Sequence, residues 1–200
     1  MPMEHISISP GNSKMGSLNS VSLPSVITCG RRCEHCYAEK IEKLRPSVHT
    51  AYMRNLSILQ NNPDQYWSEV SQALKTSRFF RFHVSGDIPD MDYLERMVNA
   101  ARENPWCEIL CFTKRYNFVS SYLDNGNTLP PNLHLILSAW RGLKMENPYD
   151  LPEAHVNYKD GMTTARKDAK PCGGNCFECA STDCGCWVLK NGEQVVFHEH

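Results

Sequence analysis

Ten cysteines stand in this sequence of 200 residues, and they fall into groups. Cys29, Cys33 and Cys36 lie within eight residues, and Cys172, Cys176, Cys179, Cys184 and Cys186 lie within fifteen. Cys107 and Cys111 occupy the middle of the chain. No basic stretch followed by an apolar one opens the sequence, so a secretory leader is not expected and the cytoplasm is the expected compartment. There, thiols serve metals or redox chemistry rather than disulfides. Two groups at opposite ends predict two metal sites.

The first group, Cys29-Gly-Arg-Arg-Cys33-Glu-His-Cys36, has a spacing of three and then two residues. A tetrahedral zinc site closes with four ligands, and no fourth cysteine is local. Three thiolates suit a [4Fe–4S] cluster with one iron left for an exogenous ligand, and Gly30 eases the first turn. The rival is a structural zinc loop completed by His35 or His49. The second group, Cys172-Gly-Gly-Asn-Cys176-Phe-Glu-Cys179, repeats the spacing and continues through Cys184-Gly-Cys186. It predicts a fully ligated centre, an auxiliary [4Fe–4S] cluster or alternatively zinc. Five thiols for four positions leave one over. Cys107 and Cys111, four apart in an apolar run, read as buried small hydrophobes.

The elements that must hold these residues alternate. Ile6/Ile8 and Val21–Thr28 read as short strands, the last running straight into Cys29. Tyr37–Leu44 reads as a helix stopped before Pro46, with further helices from Thr50 to about Asn61 and from Pro63. Phe79–Val84, alternating with Arg81 and His83, is a predicted strand ending in Ser85-Gly86-Asp87, and a helix starts near Asp90. Cys107–Phe112 and Leu133–Ala139 are predicted strands flanking a helix from Tyr116 to Leu123. The pattern is that of an α/β fold with a mainly parallel sheet. Four or five βα steps fall short of a full eight-fold barrel, so a partial, open βα barrel is expected. Residues 1–160 would form this core with a short N-terminal β segment, and 161–200 a cysteine-rich C-terminal extension. Trp187–Lys190, Asn191-Gly192 and Gln194–Phe197 predict a terminal hairpin.

The triplet, lying between a predicted strand and a helix, resembles the signature of the radical S-adenosylmethionine superfamily. That resemblance implies a partial barrel of the same type. It also implies a cluster that reductively cleaves S-adenosylmethionine to a 5′-deoxyadenosyl radical, which abstracts hydrogen from a substrate. His35 would then sit near the adenine, and Tyr37 beside it would join the cofactor site. Ser85, Gly86 and Asp87 resemble the motif that contacts the methionyl amino group, and Ser138 would reach the ribose. Electrons would come from an external one-electron donor of flavodoxin or ferredoxin type. More narrowly, Gly11–Gly16, Ser22-Leu23-Pro24, Thr28-Cys29, Cys36-Tyr37-Ala38, Phe112–Arg115 and the terminal Cys-x-Cys-Trp resemble the "gene product 88" family of phages and mobile elements. That family implies no particular substrate.

The remaining properties bound the function. Net charge is −1, with 21 basic and 22 acidic residues, which gives no electrostatic case for a bulk polyanion or a membrane surface as partner. No apolar run is long enough to span a bilayer. A zinc-stabilised interaction module and a non-catalytic iron–sulfur electron carrier are the alternatives to an enzyme. The first predicts a colourless, air-stable protein, and the second a coloured one that leaves S-adenosylmethionine intact.

Overall fold

A computed structural model describes residues 4–30, 33, 36–143 and 146–199. The chain folds as a mixed α/β protein around one open sheet of eight strands, ordered β1-β2-β3-β4-β5-β6-β8-β7. The strands are β1 (Ile8–Ser9), β2 (Asn19–Val21), β3 (Phe79–Phe82), β4 (Glu108–Thr113), β5 (Leu133–Ser138), β6 (Glu153–Asn157), β7 (Lys170–Pro171) and β8 (Gln194–His198). Among the described strands only β1 and β2 pair with each other antiparallel, the other strand pairs are parallel, and isolated antiparallel bridges join Asn12 to Gly16 and Asn157 to Thr163. The helices are α1 (Ser25–Thr28), α2 (Tyr37–Leu44), α3 (Pro46–Asn61), α4 (Pro63–Lys75), α5 (Met91–Glu103), α6 (Tyr116–Asp124) and α7 (Cys176–Ser181). Among the described residues no helix is long and apolar enough to cross a membrane.

Strand alternation explains how both faces are covered. In β3 the buried Phe80 and Phe82 face the helices, packing with Trp67, Tyr93, Met97 and Val119. The alternate residues Phe79 and Arg81 face the other way. In β4 Ile109, Leu110 and Cys111 are all fully buried, as a central parallel strand requires. The second face carries Leu110, Ile136, Ala154 and Val195 under Met15, Leu18 and Trp187, with Cys172, Cys176, Cys179 and Cys186 packed against them. Cys107 and Cys111 both lie in the helix-side core, as small hydrophobes. Burial pushes the Cys107 thiol up to about 12.

Local signals set several helix ends. Asp90 caps α5, its Oδ1 accepting from the Tyr93 amide at 2.8 Å, and Pro63 opens α4 behind an Asn62 cap. Helix α3 starts at Pro46 rather than Thr50, because proline's fixed φ suits the first helical position.

Two expected elements are replaced. Ser25–Thr28 is a helical turn rather than a strand, despite the β-branched Val26 and Ile27, which are exposed. Its ends are tied from outside, and those tertiary bonds outweigh local propensity. The terminal hairpin does not form. Gly185–Val188 is a 3₁₀ turn, because Trp187 is drawn into the core against Phe79 and His134 while its Nε1 donates to the Cys176 carbonyl at 3.0 Å. Strand β8 instead pairs in parallel between β6 and β7, so the C-terminal stretch completes the same sheet.

Strand β3 stops one residue before His83, which sits at φ 60 with its ring 5.3 Å from that of Tyr93. Burial, with Lys114 and Arg81 adding repulsion, brings the imidazole down to about 3. An unfolded histidine takes up a proton near pH 6.5, so between about pH 6.5 and 3 only the unfolded chain gains it. Stability therefore falls as pH drops through that window, by up to about 1.4 kcal/mol per pH unit from this residue. His83→Asn, which tolerates the same backbone, is expected to flatten the slope of unfolding free energy against pH between about 4 and 6. Urea titrations at several pH values measure it, and an unchanged slope would refute the assignment.

Candidate metal centre

The N-terminal cysteines lie where the parallel strands end, and α1 and α2 hold them. Four bonds fix α1. The Ser25 amide donates to Glu42 Oε1 (2.9 Å), Thr28 Oγ1 donates to the Pro24 carbonyl (2.9 Å) and accepts from the Asp87 amide (3.1 Å), and Arg115 Nη2 donates to the Thr28 carbonyl (2.7 Å). Cys29 follows directly and is buried. Cys36 caps α2, its Sγ accepting from the Glu39 amide at 3.4 Å. Glu42, buried on α2, ties the two helices to the β3–α5 loop by also accepting from Ser85 Oγ at 2.7 Å. These contacts carry the carboxyl of Glu42 below its usual range against the pull of burial.

The three thiols act on one another. Cys33 hydrogen-bonds Cys36, which with the α2 amides brings Cys36 down to about 6 against burial, while the same bond and burial push Cys33 up. Burial pushes Cys29 up to about 11, opposed by Lys114. Lys114 follows β4 and is largely enclosed. Burial works against its ammonium, but Asp87, Cys29, Cys33 and Tyr37 together hold it above the ordinary lysine range. Among the described residues no three His, Cys, Asp or Glu side chains are grouped so as to hold a metal ion as they stand. The donor set nevertheless suits a thiolate-bound centre: one thiol poised as the thiolate at a helix start, two beside it, and a cation facing them. His49, a rival fourth ligand, is turned to Glu42 at 3.3 Å. His35 lies outside the described residues.

The Ser85-Gly86-Asp87 turn is placed as expected, after β3, but its side chains point into the protein rather than toward a ligand. Asp87 is fully buried and its carboxylate accepts from Thr113 Oγ1 (2.6 Å), the Ile88 amide (2.8 Å) and the Lys114 amide (2.9 Å), with Lys114 Nζ paired to it at 3.7 Å. Ser85 is taken by Glu42. Gly86 has φ +82, and a Cβ there would stand 2.5 Å from the Leu23 carbonyl oxygen and 2.7 Å from Thr28 Oγ1. The turn thus positions Cys29 and Lys114. Gly86→Ala is expected to cost about 3 kcal/mol, seen as a Tm lower by about 6–12 °C in a thermal melt. A shift under about 2 °C would mean the loop yields freely.

Tyr37 donates its hydroxyl to the Val84 carbonyl and is half-exposed. Ser138 ends β5, away from the cysteines in sequence, and its carbonyl accepts from Tyr116. Glu42 and Arg115 escape sequence reasoning, since one reads as an ordinary helix-surface acid and the other as a loop cation. Arg115 sits so close to Gly30 that a Cβ there would meet its guanidinium at 2.2 Å. A groove of about 490 Å³ lined by Leu123, Pro131, His134, Tyr149 and Leu189 opens near the start of β5, at the other end of the strands.

The C-terminal cysteines gather on the second face of the sheet. Cys172 is anchored to β8 through its amide on the Val196 carbonyl (2.9 Å). Cys176 and Phe177 donate their amides to the Lys14 and Met15 carbonyls (3.1 and 3.0 Å), which docks α7 on the N-terminal loop.

A family profile described as "Gene product 88" matches residues 6–192. The "Gene 88 protein" of Mycobacterium phage L5 is 28% identical over 148 residues, 64% of this chain and 60% of that protein. The alignment therefore spans well under two thirds of that relative's length. No solved structure matches. The profile that matches is this one and no radical S-adenosylmethionine family matches, which corrects the superfamily membership expected from the triplet and leaves the narrower phage resemblance in place.

Proposed function

Taking the chain as the member of the gene product 88 family that it is, we propose that it is an iron–sulfur enzyme acting on S-adenosylmethionine. Cys29, Cys33 and Cys36 would hold a [4Fe–4S] cluster with one iron free of protein ligands. Such a cluster, with a flavodoxin- or ferredoxin-type donor, would supply the one electron that splits S-adenosylmethionine into methionine and a 5′-deoxyadenosyl radical able to take a hydrogen atom from a substrate.

One observation carries the reading. Cys29 and Cys36 cap the facing ends of α1 and α2, with Cys33 between them in sequence, at the carboxyl ends of the parallel strands, where open α/β sheets bind ligands, and His49 is occupied by Glu42. The chain's own groups have separate tasks. Cys36 keeps its charge at the start of α2, and Cys29 is excluded from water behind α1. The Lys114 ammonium, anchored by Asp87, offsets the negative charge of the thiolates.

A second reading has one observation in its favour. Ser85 donates its hydroxyl to Glu42, and the Asp87 carboxylate accepts from Thr113, Ile88 and Lys114 rather than turning outward to a ligand amine. A cluster protein that only passes electrons needs no such acceptor. Anaerobic reconstitution with iron and sulfide, then dithionite and S-adenosylmethionine, separates the two. Formation of 5′-deoxyadenosine supports the enzyme, and reversible reduction with S-adenosylmethionine intact supports the carrier. Zinc bound at the triplet overturns both.

A further inference from the structure

Arg81 lies on β3 and faces the second side of the sheet, over the C-terminal cysteines. A guanidinium stays charged at any ordinary pH, so one that is half-buried with its Nε enclosed favours an anion beside it. Arg81 forms no ion pair with a carboxylate among the described residues. Its Nη1 meets Cys176 Sγ at 3.6 Å, its plane lies 4.9 Å from the Phe112 ring, and its buried Nε has no partner. The anion-forming groups acting on it are Tyr37, Cys176 and Cys186.

The five cysteines are not equivalent. Cys172, Cys176, Cys179 and Cys186 pack against one apolar cluster, while Cys184 is exposed and lies outside it. Cys186 is acted on by Cys172, Cys176 and Cys179. Cys184 reaches Thr182 Oγ1 at 3.4 Å and hydrogen-bonds the Cys179 thiol from the exposed side. The backbone is drawn in around the sulfurs. The Gly174 amide donates to Cys172 Sγ at 3.4 Å, and a Cβ on Gly173 or Gly185 would stand 3.2 Å from Cys179 Sγ. Amides and a cation turned on thiol sulfurs are the surroundings a metal–thiolate centre has.

We propose that Cys172, Cys176, Cys179 and Cys186 bind one metal centre as four thiolates, with Cys184 outside it and the half-buried Arg81 as its counter-cation. This does not depend on the reading of Cys29, Cys33 and Cys36. Four thiolates on zinc or on an iron–sulfur cube both leave net negative charge, which Arg81 balances.

The test uses the intact protein, purified anaerobically. Metal and sulfide analysis tells zinc from iron–sulfur, and a variant with Cys29, Cys33 and Cys36 all changed to alanine is expected to retain one centre per chain. Alkylation of the native parent chain is expected to label Cys184 and to spare the other four until a chelator is added. Cys184→Ser keeps the metal and Cys186→Ser loses it. Arg81→Gln releases metal to a chelator about tenfold faster, and Arg81→Lys recovers part of the loss. Disulfides among these cysteines, chelator-independent labelling, or loss of metal in Cys184→Ser would overturn the proposal.

Discussion

Cys33→Ala is expected to abolish 5′-deoxyadenosine formation after anaerobic reconstitution while leaving the fold intact. Cys33 lies between two anchored residues, with Cys29 behind α1 and Cys36 capping α2. Removing its thiol would delete one of the three proposed ligands without disturbing either helix. The stability cost should stay within about 1 kcal/mol, because Cys33 is only partly buried. Cys107→Ala gives the contrast. That thiol is fully buried in the helix-side core, so its loss should cost about 1–2 kcal/mol and leave product formation alone. Product at the parental level from Cys33→Ala would remove the triplet from the chemistry altogether.

Asp87→Asn should destabilise the protein by about 3–5 kcal/mol, more than either cysteine change. The carboxylate accepts from a hydroxyl and two amides and pairs, at longer range, with the Lys114 ammonium. An asparagine can present one acceptor oxygen but must turn an NH₂ toward donors. The charge of Lys114, 16% exposed in its side chain, would then lie enclosed without its partner. Adding Lys114→Met removes that stranded charge and should recover most of the loss. Urea denaturation of the two variants measures both terms. A single-variant cost below about 1 kcal/mol would show that water already screens the pair.

Some of this was legible without coordinates. Grouping and spacing of cysteines mark two metal-capable segments, since ligand spacing is a local property. Apolar periodicity marks the strands and helices, and Tyr37–Leu44 is read as a helix stopped before Pro46, which the structure bears out. The turn Ser85-Gly86-Asp87 is visible as a motif, yet its task is not. A sequence shows an acid beside a strand end, but not that Thr113 and Lys114 arrive from the neighbouring strand to fill it. The same holds for α1, where β-branched Val26 and Ile27 argue for a strand and distant Glu42, Asp87 and Arg115 decide for a helical turn.

Residue order alone carries the donor inventory, the mainly parallel sheet and the family to which the chain belongs. Which donors face which charges follows from how the chain packs. Arg81 and Cys176 lie 95 residues apart, and only parallel pairing in one sheet, with α7 docked on the N-terminal loop, brings a strand cation onto a terminal thiol. Periodicity encodes which face a residue takes, while its partner there depends on chain crossings that no local pattern records.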